Sequence, residues 1–263
     1  MELLFILTVS FCIMLYSIQC ATPEKLIIFD FDETLGYFSE MNLIVSILYS
    51  LRKDANISFR DITRYVCRLY PEYFRKDIFQ TLECILKMKK EKHIHKVIMY
   101  TNNNAGKYWV ESVLDYIHYI LQEPLFDEMI TSYNCLHQEE NDTRRISQEK
   151  QIADLNHILH IHPHSEFVFI DDSYHKKMES EYVCYIKINP YIYTMGIQHI
   201  IQRLRENYYD QSNIDYICKQ LELKYYQIQK YLPTSCSSHI NNELDMERII
   251  LNIDLFCTPF ILV

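Results

Sequence analysis

The chain has 263 residues, of which 49% are hydrophobic and 23% charged, the balance of a globular protein and not of a disordered one. Its 26 basic and 35 acidic side chains give a formal net charge of −9, so the protein as a whole repels phosphate backbones and we expect no direct binding of nucleic acid. It has only three glycines, and the absence of G-x-G-x-x-G and Walker motifs excludes glycine-rich nucleotide-binding loops.

Residues 1–21 form a hydrophobic amino-terminal segment in which no charged side chain follows Glu2. The apolar run is typical of the core of a signal peptide. A basic leading region is missing, however, and Ile18-Gln19-Cys20 is a poor cleavage site. The sequence therefore leaves open a signal or anchor, a segment that packs on the domain, and a wrongly assigned start codon. We expect contact with a membrane only if the segment is an anchor.

Downstream of this segment, short apolar runs alternate with segments of helical periodicity. The run within Lys25 to Asp30 predicts a strand that is buried on both faces, as in a parallel sheet. Further strands are predicted at 97–100, 128–133, 167–170 and 183–188. Helices are predicted at 41–51, 59–70, 77–90, 105–121, 150–159 and 198–231. This alternation predicts an α/β fold, with a central parallel sheet flanked by helices.

Polar side chains follow three of the predicted strands. The motif D-x-D-x-T, from Asp30 to Thr34, follows the first strand, the run from Thr101 to Asn104 follows the second, and Asp171-Asp172 follows the strand at 167–170. Because ligands of open α/β sheets bind past the carboxyl ends of the strands, neighbouring strands would bring these groups together. Several carboxylates in one place repel one another, and a bound divalent cation relieves that repulsion. An all-oxygen ligand set predicts Mg²⁺.

The segment Phe29 to Leu35 reads F-D-F-D-E-T-L and matches D-x-D-x-T-L, the first motif of the haloacid dehalogenase (HAD) superfamily of phosphatases. Two later segments resemble its second and fourth motifs, namely an apolar strand that ends in Thr101 and an apolar strand that ends in Asp171-Asp172. The third motif is a lysine near the start of a helix. Lys150 is the best match to it, and Arg144 or Arg145 is the alternative.

The resemblance implies a Rossmann-like HAD fold and a two-step reaction. Asp30 is then the nucleophile that forms an aspartyl-phosphate. Asp32 is the acid–base group, which protonates the leaving alkoxide and later deprotonates the attacking water. Thr34 is expected to fix the loop through a hydrogen bond to its own backbone.

The resemblance also implies the ligand contacts. Thr101, Asn102 and Lys150 are expected to bind the phosphate, and Lys150 neutralises the nucleophile and the transferring group. The expected ligands of Mg²⁺ are Asp30, the main-chain carbonyl of Asp32, and an acid of the pair Asp171 and Asp172.

The motifs cover residues 25–188 and leave the last 75 outside them. We divide the chain into the segment 1–21, a HAD-like phosphatase domain at 22–230 with a small helical insertion at about 37–75, and a carboxy-terminal tail at 231–263. HAD phosphatases that act on metabolites carry a large cap after the first or second motif, and neither gap here has room for a full-sized one. A small cap, or none, leaves the site open to a phosphate carried by a macromolecule.

This plan resembles the NLI-interacting-factor branch of the superfamily, which acts on the carboxy-terminal domain (CTD) of RNA polymerase II, and more particularly the CTD phosphatase-like proteins of insect iridescent viruses. It implies a Mg²⁺-dependent phosphatase for phosphoserine or phosphothreonine of a protein or peptide, in the cytoplasm or nucleus of the host cell. The chain departs from the branch at Leu35-Gly36-Tyr37, where L-[VI]-H is usual, and at Asp171-Asp172, where Asp-Asn is usual. These departures leave the substrate open.

Two alternatives remain. If residues 1–20 are a cleaved signal, the sequence favours a secreted acid phosphatase of the same superfamily that acts on small phosphate esters. The second alternative is a catalytically idle HAD-fold protein that docks a partner at the phosphate site, although both aspartates of the first motif are present. The sequence does not indicate an oligomeric state.

Overall fold

The computed structural model describes residues 23–132, 141–208, 210–228 and 239–258. At its centre lies a five-stranded sheet in which every neighbouring pair is parallel, in the order β3-β2-β1-β4-β5. The strands are β1 (Lys25–Phe29), β2 (Lys96–Tyr100), β3 (Glu128–Ile130), β4 (Glu166–Asp171) and β5 (Val183–Lys187). The predicted α/β fold with a central parallel sheet is confirmed.

Eight α-helices occur in the described part of the chain. They are α1 (Ser39–Leu51), α2 (Phe59–Leu69), α3 (Ile78–Lys90), α4 (Lys107–Leu121), α5 (Ile152–Leu159), α6 (Ile197–Asn207), α7 (Ile214–Ile228) and α8 (His239–Cys257). The helical stretch predicted at 198–231 is two helices, α6 and α7, separated by a short 3₁₀ turn at Gln211–Asn213. The amino-terminal segment 1–21 and the apolar end 259–263 lie outside the described residues. None of the described helices is both long and apolar enough to span a bilayer.

The apolar run of β1 is buried on both faces of the sheet. Successive side chains of a strand point to opposite faces, so Ile27 and Phe29 enter one hydrophobic cluster while Leu26 and Ile28 enter another. All four side chains are fully buried. A strand that is covered on both sides needs apolar residues at every position, which is why no alternation is visible in its sequence.

The two faces of the sheet carry unequal numbers of helices. Among the described helices, α5 alone packs in the smaller cluster, and the other seven contribute side chains to the larger one. The order β3-β2-β1-β4-β5 means that the chain steps outward from β1 to β3 and then returns past β1 to β4. When crossovers are right-handed, helices that connect strands in one direction across the sheet lie on one face, and helices that connect strands in the other direction lie on the opposite face. The direction changes between β1 and β4, which opens a crevice at their carboxyl ends.

The predicted helical insertion and part of the predicted tail pack against the same core. Helices α1 and α2 contribute Ile44 and Val66 to the larger cluster, and α8 contributes Ile249 and Ile253. A 3₁₀ turn at Pro71–Tyr73 follows α2 and leads the chain back toward the carboxyl end of β1. The part of the tail that the structure describes is therefore joined to the sheet by buried apolar contacts.

Candidate active site

The crevice between β1 and β4 brings together four of the predicted site residues, namely Asp30, Lys150, Asp171 and Asp172. β1 and β4 run side by side with Phe29 opposite Ile170, and the amide of Asp30 continues the ladder by donating to the carbonyl of Ile170 at 2.9 Å. Asp30 therefore lies beside Asp171, the last residue of β4. Open α/β sheets bind their ligands at this position.

Three carboxylates gather in the crevice. Asp30, Asp171 and Asp172 each offer an oxygen, and these oxygens lie within 4.8 Å of one another. Asp30 and Asp171 are buried, with 7% and 1% of their surface exposed. Like charges so close together destabilise one another unless a cation compensates them. The cluster could hold a metal ion, and its oxygen-only donor set fits a hard cation.

Lys150 supplies one positive charge to this cluster. It lies two residues before α5 with 2% of its surface exposed, and its Nζ donates to Asp30 and, at 2.7 Å, to Asp171. Burial lowers the pKa of Lys150, but the two carboxylates outweigh that effect and raise it. The rings of Tyr100 and Phe169 lie 5.8 Å from Nζ, where their faces favour a cation. The side chain is held as a charged ammonium.

Arg144 and Arg145, the sequence alternatives to Lys150, bond to other groups. The guanidinium of Arg144 pairs with Asp142 and with Glu128 of the edge strand β3, each at 2.8 Å. Arg145 is buried and supports the loop that follows β2. Of the three cations, Lys150 is the one bonded to Asp30.

Arg145 and Asp154 form a buried pair behind the site. Arg145 Nε lies 3.3 Å from Asp154 Oδ2, and the same oxygen accepts a hydrogen bond from the hydroxyl of Tyr100 at 2.6 Å. Asp154 Oδ1 accepts from the amide of Ile146 at 2.9 Å. Burial by itself raises the pKa of Asp154, but these hydrogen bonds and Arg145 outweigh it and lower the pKa.

We expect Asp154→Ala to lower the free energy of unfolding by about 3–5 kcal/mol, because it leaves the Arg145 charge buried without its carboxylate. In the wild type, the pKa of Asp154 is lower in the folded state than in the unfolded state. Its contribution to the free energy of unfolding is therefore present above about pH 4 and is lost as the pH falls through the folded-state pKa. Urea unfolding at pH 7 and pH 3 measures both effects. Asp215→Ala, which removes an exposed partner of Arg205, is the control. A similar loss in both variants would contradict the prediction.

Asp32 is held by Asn103, a residue of the polar run after β2 that the family motifs give no role. Asn103 Nδ2 donates to Asp32 Oδ2 at 2.7 Å, and Asn103 Oδ1 accepts from the amide of Ala105 at 2.9 Å. Burial raises the pKa of Asp32 to about 6, against the lowering effect of the Asn103 hydrogen bond. A carboxylic acid that titrates close to neutrality suits proton transfer in both directions.

Thr101 and Asn102 follow β2 at the side of the crevice. The hydroxyl oxygen of Thr101 accepts from the amide of Asn103 at 2.9 Å, and its hydrogen can still be donated to a ligand. The side-chain oxygen of Asn102 accepts from Arg145 at 2.7 Å. Thr101 therefore keeps a hydroxyl hydrogen that is not used in the bond to Asn103, and Asn102 has a supporting bond from Arg145 that its sequence position did not reveal.

Thr34 connects the loops after β1 and β4. Its hydroxyl donates to Asp172 Oδ1 at 3.4 Å and accepts from the amide of Asp172 at 3.2 Å, instead of bonding to its own backbone as expected. The reason is the strand order, since β4 lies next to β1 and brings Asp172 within reach of the hydroxyl. Thr34 thereby ties the loop that carries Asp30 to Asp172.

The acidic pair after β4 has two distinct environments. Asp171 Oδ2 is bonded by Lys150 and lies 3.3 Å from His175 Nε2, and its Oδ1 accepts from the amide of Ser173 at 2.7 Å. Burial raises the pKa of Asp171, but His175 and Lys150 outweigh it and lower the pKa. Burial and the neighbouring Asp171 raise the pKa of the half-buried Asp172. Asp171 is thus surrounded by donors, and Asp172 is the more available of the two as a metal ligand.

No protein-family model matches the chain, and searches of curated proteins and of solved structures gave no match to it.

Proposed function

We propose that the protein is a Mg²⁺-dependent phosphoric monoester hydrolase of the HAD type that forms an aspartyl-phosphate on Asp30. The observation that carries the proposal is the contact of Lys150 Nζ with both Asp30 and Asp171 inside a buried carboxylate cluster that could hold a metal ion. Phosphoryl transfer depends mainly on positioning and on charge stabilisation. Burial raises the pKa of the Asp30 carboxyl to about 7, against the lowering effect of Lys150, and the site holds this carboxyl beside a fixed cation at the carboxyl edge of the sheet.

The two chemical steps use two acids of one loop. A carboxylate oxygen of Asp30 attacks phosphorus and forms the P–O bond of the aspartyl-phosphate, while the bond to the ester oxygen breaks and Asp32 gives that oxygen a proton. A water molecule then attacks phosphorus, Asp32 takes its proton, and the bond to Asp30 breaks to release phosphate. The raised pKa of Asp32, about 6, suits a group that must donate and then accept a proton.

The residues around Asp30 are arranged to hold the transferring group. Lys150 and the hydroxyl of Thr101 are the proposed donors to phosphoryl oxygens, and Asn102 remains a predicted phosphate contact. For Mg²⁺, Asp30, the main-chain carbonyl of Asp32, and Asp172 are the proposed ligands. When bound, the ion would offset the repulsion between these carboxylates and a phosphate dianion.

We propose phosphoserine or phosphothreonine of a protein, such as the RNA polymerase II CTD, as the substrate. The support is the placement of the insertion, because α1 and α2 share the hydrophobic core of the sheet and are therefore assigned to the body of the domain and not to a cap over the crevice. An open crevice admits a phosphate on a peptide chain as readily as one on a small ester. The preference between them is then set by contacts to the peptide.

The experiment compares Mg²⁺-dependent hydrolysis of p-nitrophenyl phosphate with that of a phosphoserine heptad peptide, using residues 22–263 and Asp30→Asn as the control. A higher kcat/KM for the peptide supports a protein phosphatase. A higher value for p-nitrophenyl phosphate favours an acid phosphatase for small esters. If neither reaction exceeds that of the control, the chemistry is overturned and the idle binding protein becomes the leading interpretation.

Metal dependence is tested by chelation and by thermal unfolding. We expect EDTA to reduce turnover to the level of the Asp30→Asn control and Mg²⁺ to restore it. Mg²⁺ at about 100 times its Kd should also raise Tm by about 5 °C, since it binds the folded state only. Asp172→Ala should lose this shift, and Asp54→Ala, a change at an exposed turn, should keep it. An undiminished shift in Asp172→Ala would exclude Asp172 as a ligand.

A further inference from the structure

The loop that carries Asp30 and Asp32 has a strained backbone and a close neighbour. Glu33 has a φ of 54°, a left-handed conformation that is costly for a residue with a Cβ atom. A Cβ atom at Gly36 would lie 2.3 Å from the carbonyl oxygen of Tyr73, so only glycine fits there. The segment around Tyr73, which belongs to the insertion after the first motif, therefore packs directly against the loop.

Arg75, two residues after Tyr73, bonds to the main chain of this loop. It is 1% exposed, and its Nε donates to the carbonyl of Thr34 at 2.9 Å. Its Nη2 donates to the carbonyl of Glu33 at 2.7 Å and to that of Asn189 at 2.6 Å. One side chain thus fixes two consecutive carbonyls of the loop and ties them to the segment after β5.

A carboxylate from the last described helix compensates the charge of Arg75. Asp245 on α8 places Oδ2 at 3.4 Å from Arg75 Nη1, and both side chains are buried, at 6% and 0% exposure. The same oxygen accepts from the amide of Asn189 at 3.1 Å. A buried guanidinium without a counter-ion would be strongly destabilising. Asp245 therefore joins α8 to the loop through Arg75 and Asn189.

We propose that Arg75 is a positioning residue for Asp30 and Asp32, and that Asp245 holds Arg75 in place. Arg75 contacts the carbonyls of Glu33 and Thr34 and acts on the reacting carboxylates through the loop. A misplacement of about 1 Å in a reacting group can cost about a hundredfold in rate. The inference rests on the proposed function for its kinetic test, and α8 becomes part of the catalytic unit although it lies outside the sequence motifs.

The kinetic test is Arg75→Met. We expect kcat for p-nitrophenyl phosphate to fall about a hundredfold, with KM within about threefold of the wild type, since the bonds fix the reacting groups and not the substrate. Arg75→Lys should recover little, because one ammonium cannot occupy the positions of both Nε and Nη2. The matched control is Arg203→Met, which removes bonds to the carbonyl of Leu69 and to Glu72 near the same turn without touching the loop.

The role of Asp245 is tested by its conservative variant and by a double mutant. Asp245→Asn keeps an oxygen that can accept from Arg75 but removes its counter-charge, so we expect a lower free energy of unfolding while the folded protein retains most of kcat, whereas Asp245→Ala should lose much of kcat. Arg75→Met combined with Asp245→Ala should be no slower than Arg75→Met alone, because the two residues act through one contact. Additive losses in the double mutant would overturn the coupling.

Amide hydrogen exchange of a peptide covering residues 30–36 gives a readout that does not need activity. In Arg75→Met we expect this peptide to exchange about tenfold faster or more, and in Arg203→Met we expect the wild-type rate. If the wild type shows no turnover, the proposed function fails and the exchange result still decides whether Arg75 orders the loop. If Arg75→Met leaves both kcat and exchange at the level of Arg203→Met, the inference is overturned.

Discussion

Asp30→Asn should turn over at least about 10⁴-fold more slowly than the wild type, as expected when the nucleophile of a covalent mechanism is lost. The amide is too weak a nucleophile to displace an alkoxide from phosphorus. The fold should survive, because asparagine has nearly the same volume and its oxygen can still accept from Lys150. The two effects are measured by steady-state kinetics with p-nitrophenyl phosphate and by thermal unfolding of the same preparation.

Two further variants make the Asp30 result specific. Asp115→Asn changes a carboxylate that pairs with Arg60 on the surface, and it should leave kcat unchanged. Asp32→Asn should also be slow, but it keeps the nucleophile, so with a good leaving group it should accumulate a protein whose mass has increased by one phosphoryl group. Substantial phosphatase activity in Asp30→Asn would refute the mechanism.

Replacing Lys150 by Met should lower kcat by about a hundredfold or more, because it removes the fixed positive charge that faces the nucleophile and the transferring group. It also leaves Asp30 and Asp171 buried without the cation that both contact. We therefore expect the metal-free variant to be less stable by about 3–5 kcal/mol. Steady-state kinetics and urea unfolding without metal measure the two losses.

The control for this substitution is Lys177→Met. Lys177 pairs with Glu149 at 2.8 Å on the surface, close to Lys150 in the fold, and its loss should change neither kcat nor stability appreciably. Arg145→Met is the informative comparison, since Arg145 supports Asn102 and Asp154 but is not bonded to Asp30. If Arg145→Met lost kcat while Lys150→Met kept it, the assignment of the third motif to Lys150 would be wrong.

The motif-based part of the site could be read from the sequence because it depends on strand ends. A continuous apolar run predicts a buried strand, and the residue after such a strand lies at the carboxyl edge of the sheet. Asp30, Thr101 and Asp171 were located in this way. The choice among Lys150, Arg144 and Arg145 required the structure. All three lie shortly before α5 in the chain, and only their side-chain contacts distinguish them.

The contacts of the supporting residues had no comparable signal, although Asn103 belongs to the polar run after the second predicted strand. Asn103, His175 and Arg75 bond to site residues that lie 71, 4 and 41–42 positions away in the chain. An asparagine in a polar loop is most often a turn or capping residue, and a lone arginine before a helix has no pattern of its own. Their roles depend on which loops the strand order brings together.

The amino-acid sequence by itself determined the α/β class, the parallel sheet and the positions of the acids at the ends of its strands, because burial and local periodicity act over a few neighbouring residues. Only the tertiary structure decided that β1 and β4 are neighbours, that Lys150 bridges Asp30 and Asp171, and that Asp245 of α8 reaches Arg75. These contacts join residues that are 21 to 170 positions apart in the chain. They form because the strand order and the packing of helices on the sheet bring distant segments together, which no local pattern in the sequence records.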